Sequence, residues 1–189
     1  MASGSMMIAD AQQDMRAGYF DGAPGMITSA AAWLVASVIA YRGAPRDAVW
    51  ALFIGGALIH PVSVMLTKLL GRSGKHLAGN PLAALAMATT VWMILCLPLA
   101  YNVSLIHLEW FFPAMLFVIG GRYMTFATLF GRRVFWICGA ALAAAGYGLG
   151  HFRADPALAA FTGTGIEGAF AVAIFVLARR EGMTKTRVP

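Results

Sequence analysis

The chain has 189 residues, of which 60% are hydrophobic and 12% charged, where a soluble globular domain carries about 25% charged residues. With a mean hydropathy of +0.73 it belongs to the membrane class. The net charge of +6 is carried at the ends of apolar runs, which points to membrane topology and excludes a nucleic-acid partner.

Residues 8–20 place Ile8, Ala11, Met15 and Tyr19 at helical spacing, with Asp10, Gln13, Asp14 and Arg16 elsewhere. This suits a short amphipathic helix on the membrane surface within an N-terminal tail, 1–22; the alternative is a frayed polar tail. Asp21-Gly22-Ala23-Pro24 supplies an N-cap residue and an early proline, a helix start. No cleavable signal peptide is expected, because the first apolar run follows an acidic stretch and is long enough to span.

Six apolar runs follow, at about 24–42, 48–70, 81–101, 109–130, 134–151 and 157–178. Each meets the length of about 17–25 residues that a spanning helix needs. The expected fold is an all-α, integral membrane six-helix bundle over 23–180, with a basic tail at 181–189. Short links, marked by Pro45, Gly71, Gly74, Gly79, Pro81, Gly131 and Pro156, make neighbours antiparallel. The even runs read as the second halves of three helical hairpins.

The basic residues divide unequally between the two faces. Arg16, Lys68, Arg72, Lys75, Arg132, Arg133, Arg179, Arg180, Lys185 and Arg187 fall on one side, and Arg42, Arg46 and Arg153 on the other. By the positive-inside rule both termini are cytoplasmic. Runs two, four and six then point the same way and place His60, Arg122 and Glu167 roughly 15–18 Å below the outer edge.

A charge at that depth costs about 2.5–3.5 kcal/mol and needs a partner inside the bundle. The expected arrangement is an Arg122–Glu167 ion pair, serving either packing register or function. His60 shares a helix face with Gly56, Ser63 and Thr67, and Pro61 frees a carbonyl near Ala57. His60, Arg122 and Glu167, with Ser63, Tyr123 and Thr125, form the candidate ligand site. Thr89 and Thr90 lie at similar depth and either line that site or bond their own helix. Glu109 and His107 read as a solvated rim at the outer mouth.

Run five carries Gly139, Ala143, Gly146 and Gly150 on one stripe, a close-packing face within the bundle or between protomers. Gly163-Thr164-Gly165-Ile166-Glu167-Gly168 matches a dinucleotide fingerprint but lies in an apolar helix with no strand before it. Gly71-Arg72-Ser73-Gly74-Lys75 is too short for a phosphate loop and precedes His76. Cys96 and Cys138 lie inside apolar runs, so neither a disulfide nor a metal site is expected, and no cofactor.

Asp14-Met15-Arg16 through Trp33, His60-Pro61 through Gly71, Asn80-Pro81-Leu82, and Phe112-Pro113-Ala114-Met115 through Gly121-Arg122-Tyr123 carry a resemblance. Together they resemble an uncharacterised family of small bacterial multi-pass membrane proteins. The resemblance implies a bacterial inner-membrane location and supplies no catalytic role. Three functions stay open. A small-solute or proton-coupled transporter or binding protein comes first, with Arg122 holding an anionic group and His60 relaying protons. A structural or partner subunit, associating as a homo-oligomer through the run-five stripe, comes second. An intramembrane enzyme using His60 or Glu109 comes last.

Overall fold

The computed structural model describes residues 6–185, with side chains as far as Arg180. The expected basic tail of 181–189 therefore lies largely outside the described residues. Seven α-helices and no strand are present among them: α1 (Ile8–Tyr19), α2 (Ala23–Tyr41), α3 (Pro45–Leu69), α4 (Leu82–Ile106), α5 (Phe111–Phe130), α6 (Val134–His151) and α7 (Pro156–Lys185). The six from α2 onward are long and apolar enough to cross a membrane. Helix α4 runs five residues further than its apolar composition suggests. Asn102 Nδ2 donates to the Pro98 carbonyl at 2.8 Å and Ser104 Oγ to that of Tyr101 at 2.6 Å, so these polar side chains prolong the helix that they would otherwise end.

Helix α2 packs on α3, α4 on α5, α5 on α6 and α6 on α7, and α2 against α7 closes the bundle, while α3 and α4 hardly touch. The α5–α6 pair depends on glycine. A Cβ on Gly139 would stand 2.5 Å from the Gly120 carbonyl, and one on Gly146 2.8 Å from that of Pro113. Gly150 likewise faces Pro113, at 3.4 Å. The small-residue stripe is thus occupied by α5 of the same chain, which leaves it unavailable to a second copy.

Helix α1 lies across one end of the bundle, with Ala11 and Met15 buried against protein. Gln12 Nε2 donates to the Thr128 carbonyl at 2.8 Å and Arg16 Nη1 to that of Phe130 at 2.7 Å. Asp14 Oδ2 accepts from Leu77 N at 2.9 Å and Asn80 Nδ2 at 2.7 Å. The α3–α4 loop and the last turn of α5 are both fastened to α1. Its apolar face is therefore turned on the bundle, while Met7 and Ile8 remain exposed.

Asp21 does not cap α2, whose N-cap is Gly22 without a side-chain bond. Phe20, Asp21 and Gly22 are three successive left-handed residues. That turn directs the Asp21 carboxylate to Arg132, at 3.3 Å from Nε and 3.2 Å from Nη2. The cost of a positive φ at two non-glycine residues is offset by a partly buried, two-point ion pair between the start of α2 and the α5–α6 loop.

Candidate functional site

A polar knot lies at the centre of the bundle. Glu167 on α7 has no exposed surface. Trp33 Nε1 on α2 donates to its Oε1 at 3.2 Å. The hydroxyls of Ser29 and Tyr123 stand beside the same carboxylate, but Oε2 closes no hydrogen bond of good geometry. Gly163 seats the indole, since a Cβ there would meet two ring carbons at 2.8 Å. One turn further along α2, Ser37 Oγ meets Thr164 Oγ1 at 3.1 Å. Tyr123 is buried and stacks on Phe135, with centroids 6.2 Å apart.

Arg122 precedes Tyr123 on α5, and its side chain turns away from Glu167. The expected ion pair does not form, although the two charges lie within electrostatic reach. Nη2 donates to Thr90 Oγ1 at 3.2 Å and Nη1 to Met93 Sδ at 3.0 Å, both on α4. Its Cζ lies 5.3 Å from the centroid of the Phe126 ring, a favourable cation–π position. Nε is buried and has no partner. The physical reason for the missing ion pair is the placement of the two side chains on different faces. Glu167 is held in the α2–α7 interface by Trp33, and the long Arg122 side chain reaches the nearer acceptors of α4.

Helix α3 packs on α2 and α4 on α5, with little packing between α3 and α4 themselves. Their seam is closed at the end opposite α1 by aromatic rings. Phe53 on α3 meets Tyr101 on α4 at 6.2 Å and Phe111 on α5 at 5.3 Å. At α1's end the 71–80 loop, docked on that helix, spans the seam. His60 is two turns from Phe53 on the same face of α3, and Arg122 three turns from Phe111 on the same face of α5. At 1.5 Å per residue along their helices they lie about 10 Å and about 16 Å from the ring cluster, and Arg122 is turned to α4.

His60 is exposed and bonds neither Arg122 nor Glu167 through its side chain. Gly56, on the same stripe, has open space where a Cβ would lie. Ser63 and Thr125 do not supply free hydroxyls. Ser63 Oγ donates to the His60 carbonyl at 2.8 Å and Thr125 Oγ1 to that of Arg122 at 2.7 Å. Thr90 also bonds its own helix, through the Ala86 carbonyl at 2.9 Å. Of the six candidate residues, Arg122, Tyr123 and Glu167 are brought together. His60 is exposed on α3 and is not brought into contact with them. His107 and Glu109 pair at 3.4 Å at the far rim. The residues that sequence reasoning passed over are Ser29 and Trp33. Their signal was present: Ser29, Trp33 and Ser37 recur every four residues on one face of an apolar run.

These features define a class: a multi-pass integral membrane protein with six spanning helices and charged groups held within the apolar bundle. The chain belongs to a family of unknown function, DUF7010, whose profile matches residues 8–177. No curated protein and no solved structure is similar to it.

Proposed function

We propose that the protein binds a small anionic solute at Arg122, within the α3–α4 seam, and carries it across the membrane together with a proton. The observation that carries this reading is the state of the guanidinium. It is a partly buried cation held by two neutral acceptors, with Nε unpaired and no carboxylate in contact. A guanidinium fork suits a carboxylate or phosphate oxygen pair. Glu167 balances its charge at a distance. A second negative charge arriving at Arg122 in a medium of low dielectric is disfavoured unless the carboxyl takes up a proton. Anion and proton then enter together, and the site stays neutral in both states.

His60, exposed on α3, is suited to pass that proton from outside the bundle. The excess of Lys and Arg at the α1 end supports an orientation with both termini in the cytoplasm, and the location that fits is a bacterial inner membrane. Full burial of Glu167 favours a second reading, a structural or partner subunit in which the knot only fixes helix register.

Uptake of radiolabelled acetate, lactate and inorganic phosphate into proteoliposomes under a proton gradient separates the two. Transport predicts uptake of at least one by the wild-type protein, its loss in Arg122→Gln, and partial recovery in Arg122→Lys. Equal uptake by wild type and Arg122→Gln, or none above protein-free vesicles, overturns it.

A further inference from the structure

A second site stands at the α1 end of the bundle, apart from the intramembrane charges. A cavity of about 470 Å³ lies between α1 and the α3–α4 loop, lined by Arg72, Ser73, Lys75, His76 and Asp14 among others. That volume is within the range of about 300–1,000 Å³ usual for small-ligand sites. Three basic side chains and one carboxylate converge on it. The carboxylate is committed, because Asp14 Oδ2 already accepts two hydrogen bonds from the loop. The two permanent cations are not. The Arg72 guanidinium lies over the Phe20 ring at 5.6 Å and, among the described residues, donates no hydrogen bond. The Lys75 ammonium has no partner among them either.

The walls are fixed in advance. Gly18 lets α1 touch the Lys75 carbonyl, where any Cβ would collide, and its own carbonyl accepts from Gly74 N at 3.0 Å. Gly71 and Gly74 take positive φ, so the chain reverses twice within four residues. Ser73 Oγ ties the loop internally, donating to the Lys75 carbonyl at 2.9 Å and accepting from Lys75 N at 3.2 Å. Tyr19 Oη and His76 Nδ1 share a hydrogen bond of 2.9 Å across the cavity's edge. A rigid loop holds two cationic side chains around the cavity, and the Asp14 carboxylate there is bonded to neutral N–H donors of the loop and not to Arg72 or Lys75. Such an arrangement selects a group with several anionic oxygens.

We propose that this cavity binds a phosphate group through Arg72, Lys75 and His76, carried either by a phospholipid headgroup or by a free phosphate compound. The site differs from a phosphate loop in using side chains rather than a run of backbone N–H groups at a helix start. It does not depend on Arg122 or on transport.

The test uses the full chain in a neutral detergent, with binding followed by thermal shift and native mass spectrometry. The probes are phosphatidylglycerol in mixed micelles, inorganic phosphate, and phosphatidylcholine as a zwitterionic comparison. Variants are Arg72→Gln and Lys75→Gln, with Lys68→Gln as the control that removes one nearby charge without touching the cavity. Lys75→Gln keeps the fold in any case, because the loop uses only that residue's backbone. Loss of one charge-assisted contact should weaken binding by about 10- to 100-fold, with Lys68→Gln close to wild type. Stabilisation by phosphatidylglycerol alone with that variant pattern assigns a lipid headgroup. Stabilisation by inorganic phosphate with the same pattern assigns a free phosphate compound. Equal binding of either probe by wild type, Lys75→Gln and Lys68→Gln, or binding of neither probe, overturns the proposal and leaves these charges a topological role only.

Discussion

Replacing Gly163 by alanine puts a methyl carbon 2.8 Å from Cδ2 and Cε3 of Trp33 and 3.1 Å from Cε2. Carbon atoms at rest stand about 3.5–4.0 Å apart, so helix α7 or the indole must give way by roughly 0.7–1.2 Å. The indole has little freedom: it is fully buried, faces Phe112 with centroids 6.0 Å apart, and is tied through Nε1 to Glu167. Overpacking of this kind costs about 1–3 kcal/mol. Alanine also improves helix propensity by roughly 1 kcal/mol, which would mask part of that loss. Gly165→Ala supplies the correction, because it lies on the same helix and meets nothing within 4 Å. The difference between the two variants isolates the clash. At about 2–4 °C per kcal/mol for a chain of this size, Gly163→Ala should melt roughly 2–12 °C below Gly165→Ala in detergent. Its near-UV circular dichroism should also change as the indole moves. Equal melting temperatures with an unchanged tryptophan signal would refute the packing assigned to this helix pair.

Further outcomes follow from the same geometry. Asp21→Asn removes the charge from the two-point pair with Arg132 and should cost about 1.5–3 kcal/mol in denaturant or thermal unfolding. Raising salt on the wild-type protein should not reproduce that loss, since a partly buried pair is screened much less than an exposed one; a large salt effect would place the pair at the surface. Gly139→Ala forces a methyl to 2.5 Å from the Gly120 carbonyl and 2.7 Å from Met124 Cγ, whereas Gly148 has open space. Gly139→Ala should therefore lose the folded peak in size-exclusion chromatography or melt well below Gly148→Ala, and equal behaviour would contradict the α5–α6 contact. Trp33→Phe deletes the hydrogen bond to Glu167 and should destabilise by about 1–3 kcal/mol. A variant as stable as wild type in thermal unfolding would show that the bond adds nothing.

Hydropathy and length alone located six spanning helices, because burial in lipid requires long uninterrupted apolar runs. A similar depth for Arg122 and Glu167 was the expectation from counting along two helices that point the same way. What counting could not supply was rotation about each helix axis. Arg122 and Glu167 were expected to touch, yet Trp33 claims the carboxylate from α2 and Thr90 and Met93 claim the guanidinium from α4. A long apolar run with all-round hydrophobicity gives little indication of which face meets which neighbour. The same limit hid α1's docking. Its amphipathic pattern fits a lipid surface as well as a protein one, and only the bonds of Asp14 to the α3–α4 loop and of Gln12 and Arg16 to the end of α5 decide between them. Asp21 illustrates a local rule overruled. Its position invites an N-cap, but the partly buried contact with Arg132 over 111 residues of chain takes the carboxylate instead.

Proton linkage measured on the purified protein bears most directly on the role given to the intramembrane charges. Acetate binding is followed by calorimetry in buffers of differing ionisation enthalpy, for wild type and for Glu167→Gln. Charge balance between Arg122 and Glu167 predicts that wild type takes up a proton for each acetate bound and that Glu167→Gln binds acetate with no proton uptake. Acetate binding without proton uptake by wild type, or identical uptake in both proteins, would contradict it.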